Sequence, residues 1–406
     1  MVTWKGSRKT LTVLLFLLPT LIGILIFNVY PIVLNSYISL TNRNKFRPNP
    51  DCSAGLNGVL DPLCWPGFAD KAPKGLGSPY KLETPIYKNY ADLMGKLFTG
   101  ESMLALGKIL LVFVPLVIAN SLNRRFDRMM SRPVSSWLVW IGGVIAVVLV
   151  ALLVNLGNAL DLLMRTGDFL VVVGRTILFV ALRVPLTFFL GLILALILNS
   201  PNLPGKTFFR VILFIPWGAS SVAILVALIW QFIFRDQGVI NQLLSAAFGI
   251  NGPVWLNNPY YAFGVVVLAD IWFSYPFFMV SILGALQSIP PDQYEAAEMD
   301  GASWWQQLGN ITLPLIRPAI LPATVLTSIT AFQMFGTAFA ITAGGPQTGA
   351  NSPGYTEFVM LYAYRQIFQL SNYGKATAFA VIIFLLLFAA TLLSLRVTRI
   401  TKGAYE

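Results

Sequence analysis

Apolar residues along this chain come in long, nearly unbroken runs rather than at the two-residue or 3.6-residue spacing of a half-buried surface. A helix that crosses a bilayer needs about 20 mostly apolar residues. Eight stretches meet that requirement: 11–39, 102–121, 137–156, 170–198, 211–234, 260–287, 319–343 and 376–396. The pattern predicts an all-α polytopic membrane protein with about eight transmembrane helices. The first stretch runs on past Pro19 and Pro31 and has no small-residue cleavage site, so it is expected to be a retained anchor and not a cleaved signal peptide.

The polar segments between the runs divide the chain into four regions. Residues 1–40 form a tail and the first helix. Residues 41–101, rich in Pro, Gly, Asn and Asp, are expected to be an extracytoplasmic loop with little regular structure. Residues 102–157 form an added hairpin, whose Gly142–Gly143 pair permits close helix packing. Residues 158–406 hold the main helical core, interrupted by a polar stretch at 288–318. One set of short segments carries Lys5, Arg8 and Lys9; Arg124, Arg125, Arg128 and Arg132; Lys206 and Arg210; and Arg396, Arg399 and Lys402. The alternate segments carry few cations, such as Arg165, Arg235 and Arg365, so both termini are expected to be cytoplasmic.

Composition narrows the function. The 406 residues are 56% hydrophobic and only 11% charged, against about 25% charged in soluble domains, and the mean hydropathy is +0.71. The net charge of +11 sits mostly beside the apolar runs, where membrane topology requires it, so nucleic acid is not an expected partner. There is no histidine, which removes the commonest general base and metal ligand. The two cysteines, Cys52 and Cys64, share the 41–101 loop, and a zinc site would need two further ligands. In an oxidising compartment a disulfide is the preferred reading, with two free thiols as the other.

The stretch 288–318 carries the most specific signal. Pro290 and Pro291 suit a helix start, Asp292, Glu295 and Glu298 suit the positive end of its dipole, and Gly301 permits a reversal at positive φ. A second short helix is then expected to stop at Pro314, leaving Tyr294, Trp304 and Trp305 facing the cytosol. Glu295-Ala296-Ala297, three residues, Gly301, nine residues and Ile311-Thr312-Leu313-Pro314 together resemble the EAA loop of ABC-importer permeases. Further landmarks are Gly205 to Pro216, Trp272-Phe273-Ser274-Tyr275-Pro276, Gly284-Ala285-Leu286-Gln287, Gly344-Gly345-Pro346, Gly354-Tyr355-Thr356 and Tyr364-Arg365. With these, the chain is similar to the larger permease subunit of maltose transporters, the MalF type.

The resemblance implies an ABC type I importer permease core built from the first helix and the last five. It implies that Glu295, Ala296, Ala297, Glu298, Asp300, Gly301, Ile311, Leu313 and Pro314 couple to an ATPase. It also implies a homologous MalG-like permease, a MalK-like ATPase dimer, a MalE-like sugar-binding protein, membrane lipid and a sugar such as maltose or maltodextrin as partners, in a bacterial or archaeal inner membrane. No cofactor is expected in this chain; ATP and Mg belong to the ATPase partner. Gly205-Lys206-Thr207 is not a phosphate loop, because Ser200 stands where that motif needs Gly. The family's sugar site carries over to Trp217, Ser221, Asp270, Phe273, Ser274, Phe277, Thr330, Ala331 and Met334, with several of the family's amides replaced.

Asp270 and Arg183 are charges at comparable depth in two predicted spans, and such groups usually face a partner or water. They are expected to pair, or Asp270 to accept a sugar hydroxyl. Phe358, Leu361, Tyr362 and Phe368 form a helical stripe within 355–374, read as an interfacial helix that contacts the binding protein or anchors in the membrane. Two other classes compete: an ion-coupled secondary transporter, short of intramembrane acids here, and a membrane glycosyl- or phosphotransferase, which would need clustered catalytic carboxylates.

Overall fold

A computed structural model describes residues 7–53, 56–66, 78–129, 136–201, 203–347, 349 and 352–398. Arg132, Arg399 and Lys402, like Lys5, fall outside the described residues. Among the described residues the chain is helical, with isolated β-bridges and no strand. We number the main helices α1 Thr12–Ile38, α2 Lys88–Leu97, α3 Gly100–Met129, α4 Ser136–Leu153, α5 Leu156–Thr166, α6 Asp168–Asn199 and α7 Lys206–Ile233. They continue as α8 Val239–Phe248, α9 Pro259–Gln287, α10 Asp292–Met299, α11 Trp304–Phe332, α12 Gly336–Thr342, α13 Val359–Leu370 and α14 Tyr373–Thr398.

Six of these (α1, α3, α6, α7, α9 and α11) are long and apolar enough to cross a membrane, and the bent pair α4–α5 makes up to seven. The eighth expected span corresponds to α14, whose described apolar part, Tyr373–Ala389, is shorter. Two expected boundaries move. The 137–156 span breaks at Asn155, which adopts a left-handed φ of 53°, and turns by 61° into α5. The 319–343 span instead starts at Trp304 and ends at Phe332, followed by a break and the short α12.

Proline shapes two of the spans. In α1 a π turn at Leu25–Val29 precedes Pro31, and in α11 a π turn at Leu308–Thr312 precedes Pro314. A proline inside a regular α-helix loses one hydrogen bond and clashes with the carbonyl four residues back. A single widened turn just before it removes that conflict. Pro314 therefore lies inside α11 and does not stop it, which corrects the expectation of a short second helix.

The chain forms two compact units, Met1–Lys96 with Ala363–Ala389, and Leu97–Tyr362 with Ala390–Glu406. In the first, the 41–96 segment is held by side chains more than by regular structure. Cys52 and Cys64 are disulfide-bonded, with Cα atoms 5.5 Å apart. Buried Asp61 accepts from Arg43 Nη1 at 3.2 Å, the Tyr80 hydroxyl at 2.5 Å and the Leu63 amide at 2.9 Å. Burial, then the hydrogen bond to Asp61 and its charge, push the Tyr80 hydroxyl well above its ordinary range. Asn89 Nδ2 donates to the carbonyls of Ser39 and Thr41 at 2.9 and 2.8 Å.

In the second unit α6, α9 and α11 pack on one another, with α9 the most buried. Within a bilayer there is little hydrophobic gain in bringing helices together, so close packing of small residues carries the contact. Gly191 shows it: a Cβ there would lie 2.6 Å from the Cβ of Phe278 across the α6–α9 interface. Gly143 does the same for α4, where an added Cβ would meet Ala119 of α3 at 2.8 Å, whereas Gly142 faces open space. Phe358 is fully buried against Phe179, with ring centroids 4.5 Å apart, and Leu361 and Tyr362 are buried with it. The stripe read as interfacial is therefore core. Its fourth member, Phe368, lies outside the described side chains.

Candidate functional site

A cavity of about 400 Å³ lies within the second unit, enclosed by α6, α7, α9, α11 and α12. Trp217, Phe273 and Phe277 line it with aromatic groups; Ser220, Ser274, Thr327, Thr330 and Thr337 add hydroxyls. Arg183 and Asp270 complete the polar wall.

Irregular helices open this space. After Pro216 the backbone of α7 tightens into a 3-10 turn at Ala219–Val222. A 3-10 turn repeats every three residues, so Trp217, Ser220 and Ala223 share the cavity face. Ser221, which the family resemblance placed in the site, is exposed elsewhere and donates to the Gly218 carbonyl of its own helix at 3.2 Å. Met334 is displaced for a related reason: α11 ends at Phe332, and Met334 is buried in the break before α12, off the cavity. Ala331 is likewise buried and does not line it. Sequence reasoning missed Ser220, Thr327 and Thr337. A threonine at 327, three residues from Thr330, was the available signal for one of them; the other two depend on the broken helices.

Arg183 and Asp270 form an ion pair. The same guanidinium donates from Nη1 to the Thr327 carbonyl at 2.9 Å and from Nη2 to Ser274 Oγ at 2.5 Å. Its three nitrogens thus reach α9 twice and α11 once, and both charges, buried to within 7% exposure, are mutually compensated. Ser274 accepts from Arg183 and keeps its own proton for a ligand oxygen. The wall is chemically suited to a polyhydroxylated molecule, with flat aromatic faces, neutral hydroxyl donors and acceptors, and no uncompensated charge.

The other predicted site is the hairpin α10–α11. Pro290 and Pro291 precede α10, and its first turn carries Asp292 and Glu295. It closes with two bonds of the Schellman type: the Ala302 amide donates to the Ala297 carbonyl at 2.9 Å and the Gly301 amide to the Glu298 carbonyl at 3.0 Å. Gly301 has φ of 75°, as that motif requires. Ser303 then begins α11, its amide donating to Gln306 Oε1 at 2.7 Å. Glu295, Ala296, Glu298, Asp300, Gly301 and Pro314 are exposed; Ala297, Ile311 and Leu313 are half-buried. Met299 and Trp305 project, at 88% and 74% exposure. Tyr294 departs from expectation: it is half-buried, with its hydroxyl 3.0 Å from Thr312 Oγ1, so it braces α10 against α11.

Of the landmark glycines, Gly344, Gly345 and Gly354 come together after α12. Arg175 of α6 donates to the carbonyls of Pro353 and Gly354 at 3.2 and 2.8 Å, and its guanidinium lies 4.6 Å from the Tyr355 ring centre. Thr356 Oγ1 donates to the Gly345 carbonyl at 2.7 Å.

Residues 187–400 match the family described as binding-protein-dependent transport system inner membrane component. The chain is 36% identical over 230 residues to the maltose/maltodextrin transport system permease protein MalF of Salmonella typhimurium, covering 55% of this chain and 44% of that protein. It is 36% identical over 228 residues to the trehalose/maltose transport system permease protein MalF of Thermococcus litoralis, covering 56% of this chain and 74% of that one. It therefore spans less than half the length of the first relative. A crystal structure of a bacterial ABC transporter involved in the import of the acidic polysaccharide alginate contains a chain of similar fold, with a TM-score of 0.50 at 24% identity, covering 57% of this chain and 79% of that one.

Proposed function

The chain belongs to the family of binding-protein-dependent transport system inner membrane components, and from that premise we propose that it is the permease subunit of an ATP-driven importer of a neutral di- or oligosaccharide of the maltose type. It performs no bond-breaking chemistry itself. A separate ATPase dimer, carrying ATP and Mg, docks on the α10–α11 hairpin; a second permease subunit completes the pathway; a sugar-binding protein delivers the substrate. Both termini lie in the cytoplasm.

One observation carries this reading. The helix that begins in the exposed hairpin is the helix that lines the cavity: α11 runs from Trp304 past Leu326, Thr327 and Thr330. From Leu308 to Thr327 is a lever of roughly 28 Å at about 1.5 Å per residue. A push on the hairpin is delivered along α11 to the cavity wall, and Tyr294–Thr312 keeps the hairpin from folding independently of it. The names of the relatives, transporters of maltose, maltodextrin and trehalose, support a sugar. So does the compensated charge of the cavity.

An ion-coupled transporter would need a free intramembrane acid to carry its driving proton or cation. Asp270 is engaged with Arg183 instead, and the exposed hairpin would have no task. The test is ATP hydrolysis by the reconstituted complex with a panel of sugar-loaded binding proteins, using Gly301→Pro as the uncoupled control. Stimulation by one malto- or related oligosaccharide, lost in the control, is the expected result. An assembled complex that no sugar stimulates would overturn the sugar reading.

A further inference from the structure

Within the first unit, the disulfide-closed segment around Leu56–Trp65 turns an apolar stripe outward. Leu56 is 57% and Val59 72% exposed, Trp65 is 38% exposed, and Leu60 and Leu63 are half-buried beside them. Asn57–Leu60 is a single helical turn and Pro62–Cys64 a 3-10 turn, with Asp61 extended between them, and both turns contribute to the stripe. We propose that this stripe is an interfacial foot, seated in the headgroup boundary of the bilayer with lipid as its partner.

Three observations point to lipid. The first is depth. Tyr30 of α1 donates its hydroxyl to the Leu60 carbonyl at 2.8 Å, and its ring lies 5.9 Å from that of Trp65. At 27 residues, α1 is about 40 Å long, against about 30 Å of hydrocarbon. Arg8 and Lys9 stand just before its other end, so the surplus length falls on the loop side. Tyr30, about 12 Å before Ile38, then stands at the hydrocarbon boundary, and the segment bonded to it stands at the same level. Tyr and Trp are the residues that favour this layer.

The second observation is that the amides from Val59 to Trp65 are already satisfied within the segment. An interfacial seat is costly for unpaired amides. The amides of Val59, Leu60 and Asp61 donate to Leu56, Leu56 and Asn57 carbonyls, and those of Cys64 and Trp65 to Asp61 and Pro62 carbonyls. The Leu63 amide donates to Asp61 Oδ1, and Pro62 has none to satisfy. Trp65 Nε1 donates to the Val59 carbonyl at 3.1 Å, so the indole offers an apolar surface with its polar atom engaged.

The third is charge. Asp61 is the one ionisable group between Leu56 and Trp65, and it is buried against Arg43 and Tyr80. The outward stripe is therefore uncharged. The disulfide Cys52–Cys64 closes the segment and limits the ways the foot can unfold.

The experiment places p-benzoylphenylalanine at Val59 in the assembled complex in native membranes and irradiates it. A shift of this chain by one phospholipid mass is the expected result. An adduct with a second permease subunit or with the binding protein, or no lipid adduct, would overturn the proposal. A second readout does not depend on that substitution. Trp65 fluorescence, taken as the difference between wild type and Trp65→Phe, should be quenched more by spin labels near the headgroups than by labels at the chain ends. Equal lack of quenching by both would place the ring in water and overturn the seat.

Discussion

Arg183 commits its guanidinium to Asp270, Ser274 and the Thr327 carbonyl, so one side chain of α6 holds two other cavity helices. Removing one partner of a buried ion pair leaves a charge without compensation and costs about 3–5 kcal/mol, whereas replacing both with apolar residues is often close to neutral. Arg183→Met is therefore expected to lower the thermal unfolding midpoint in detergent markedly, and Arg183→Met with Asp270→Leu to recover most of the loss. Asp270→Asn keeps the shape but removes the charge that compensates Arg183, and transport as well as stability should fall. If both are unchanged in Asp270→Asn, the pair has no role in either. That these two residues would pair, or that Asp270 would accept a sugar hydroxyl, was legible in the sequence, because they are charges at similar depth in apolar spans; that they meet is seen only in the fold. That Ser220 rather than Ser221 faces the cavity was not, because it depends on a 3-10 turn that no residue between 219 and 222 announces.

At the scale of elements, the α10–α11 hairpin was legible almost residue by residue. Its helix start, its acidic first turn and its Gly301 reversal rest on local backbone physics, which sequence reports directly. A side chain with Cβ at that φ costs about 1–2 kcal/mol, and Asn tolerates it better than a branched residue does. Sugar-stimulated ATP hydrolysis should accordingly fall in the order wild type, Gly301→Asn, Gly301→Val, with complex assembly retained. Equal activity in all three would separate the turn from coupling. Pro314 was misread for a physical reason: proline ends a regular helix, yet a π turn one step earlier lets the helix pass through it. The same device precedes Pro31 in α1.

For the whole molecule, the proposed orientation rests on where the cations lie. If both termini are cytoplasmic and the 41–96 segment is outside, as proposed, a fluorescent protein fused after Glu406 should fluoresce. Alkaline phosphatase inserted in the 67–77 stretch should be active. Phosphatase activity at the C-terminus would reverse the assignment and, with it, the face offered to an ATPase. The membrane class, the approximate spans and the Gly301 turn were determined by the sequence alone, since each depends on transfer from water to lipid or on the backbone within a few residues. The cavity lining, the burial of Phe358, Leu361 and Tyr362 and the seating of Gly191 against Phe278 were decided only by the tertiary structure. In a bilayer an apolar side chain is about as well solvated by lipid as by another helix. Hydropathy therefore says that a helix is inside the membrane but not which of its faces meets protein.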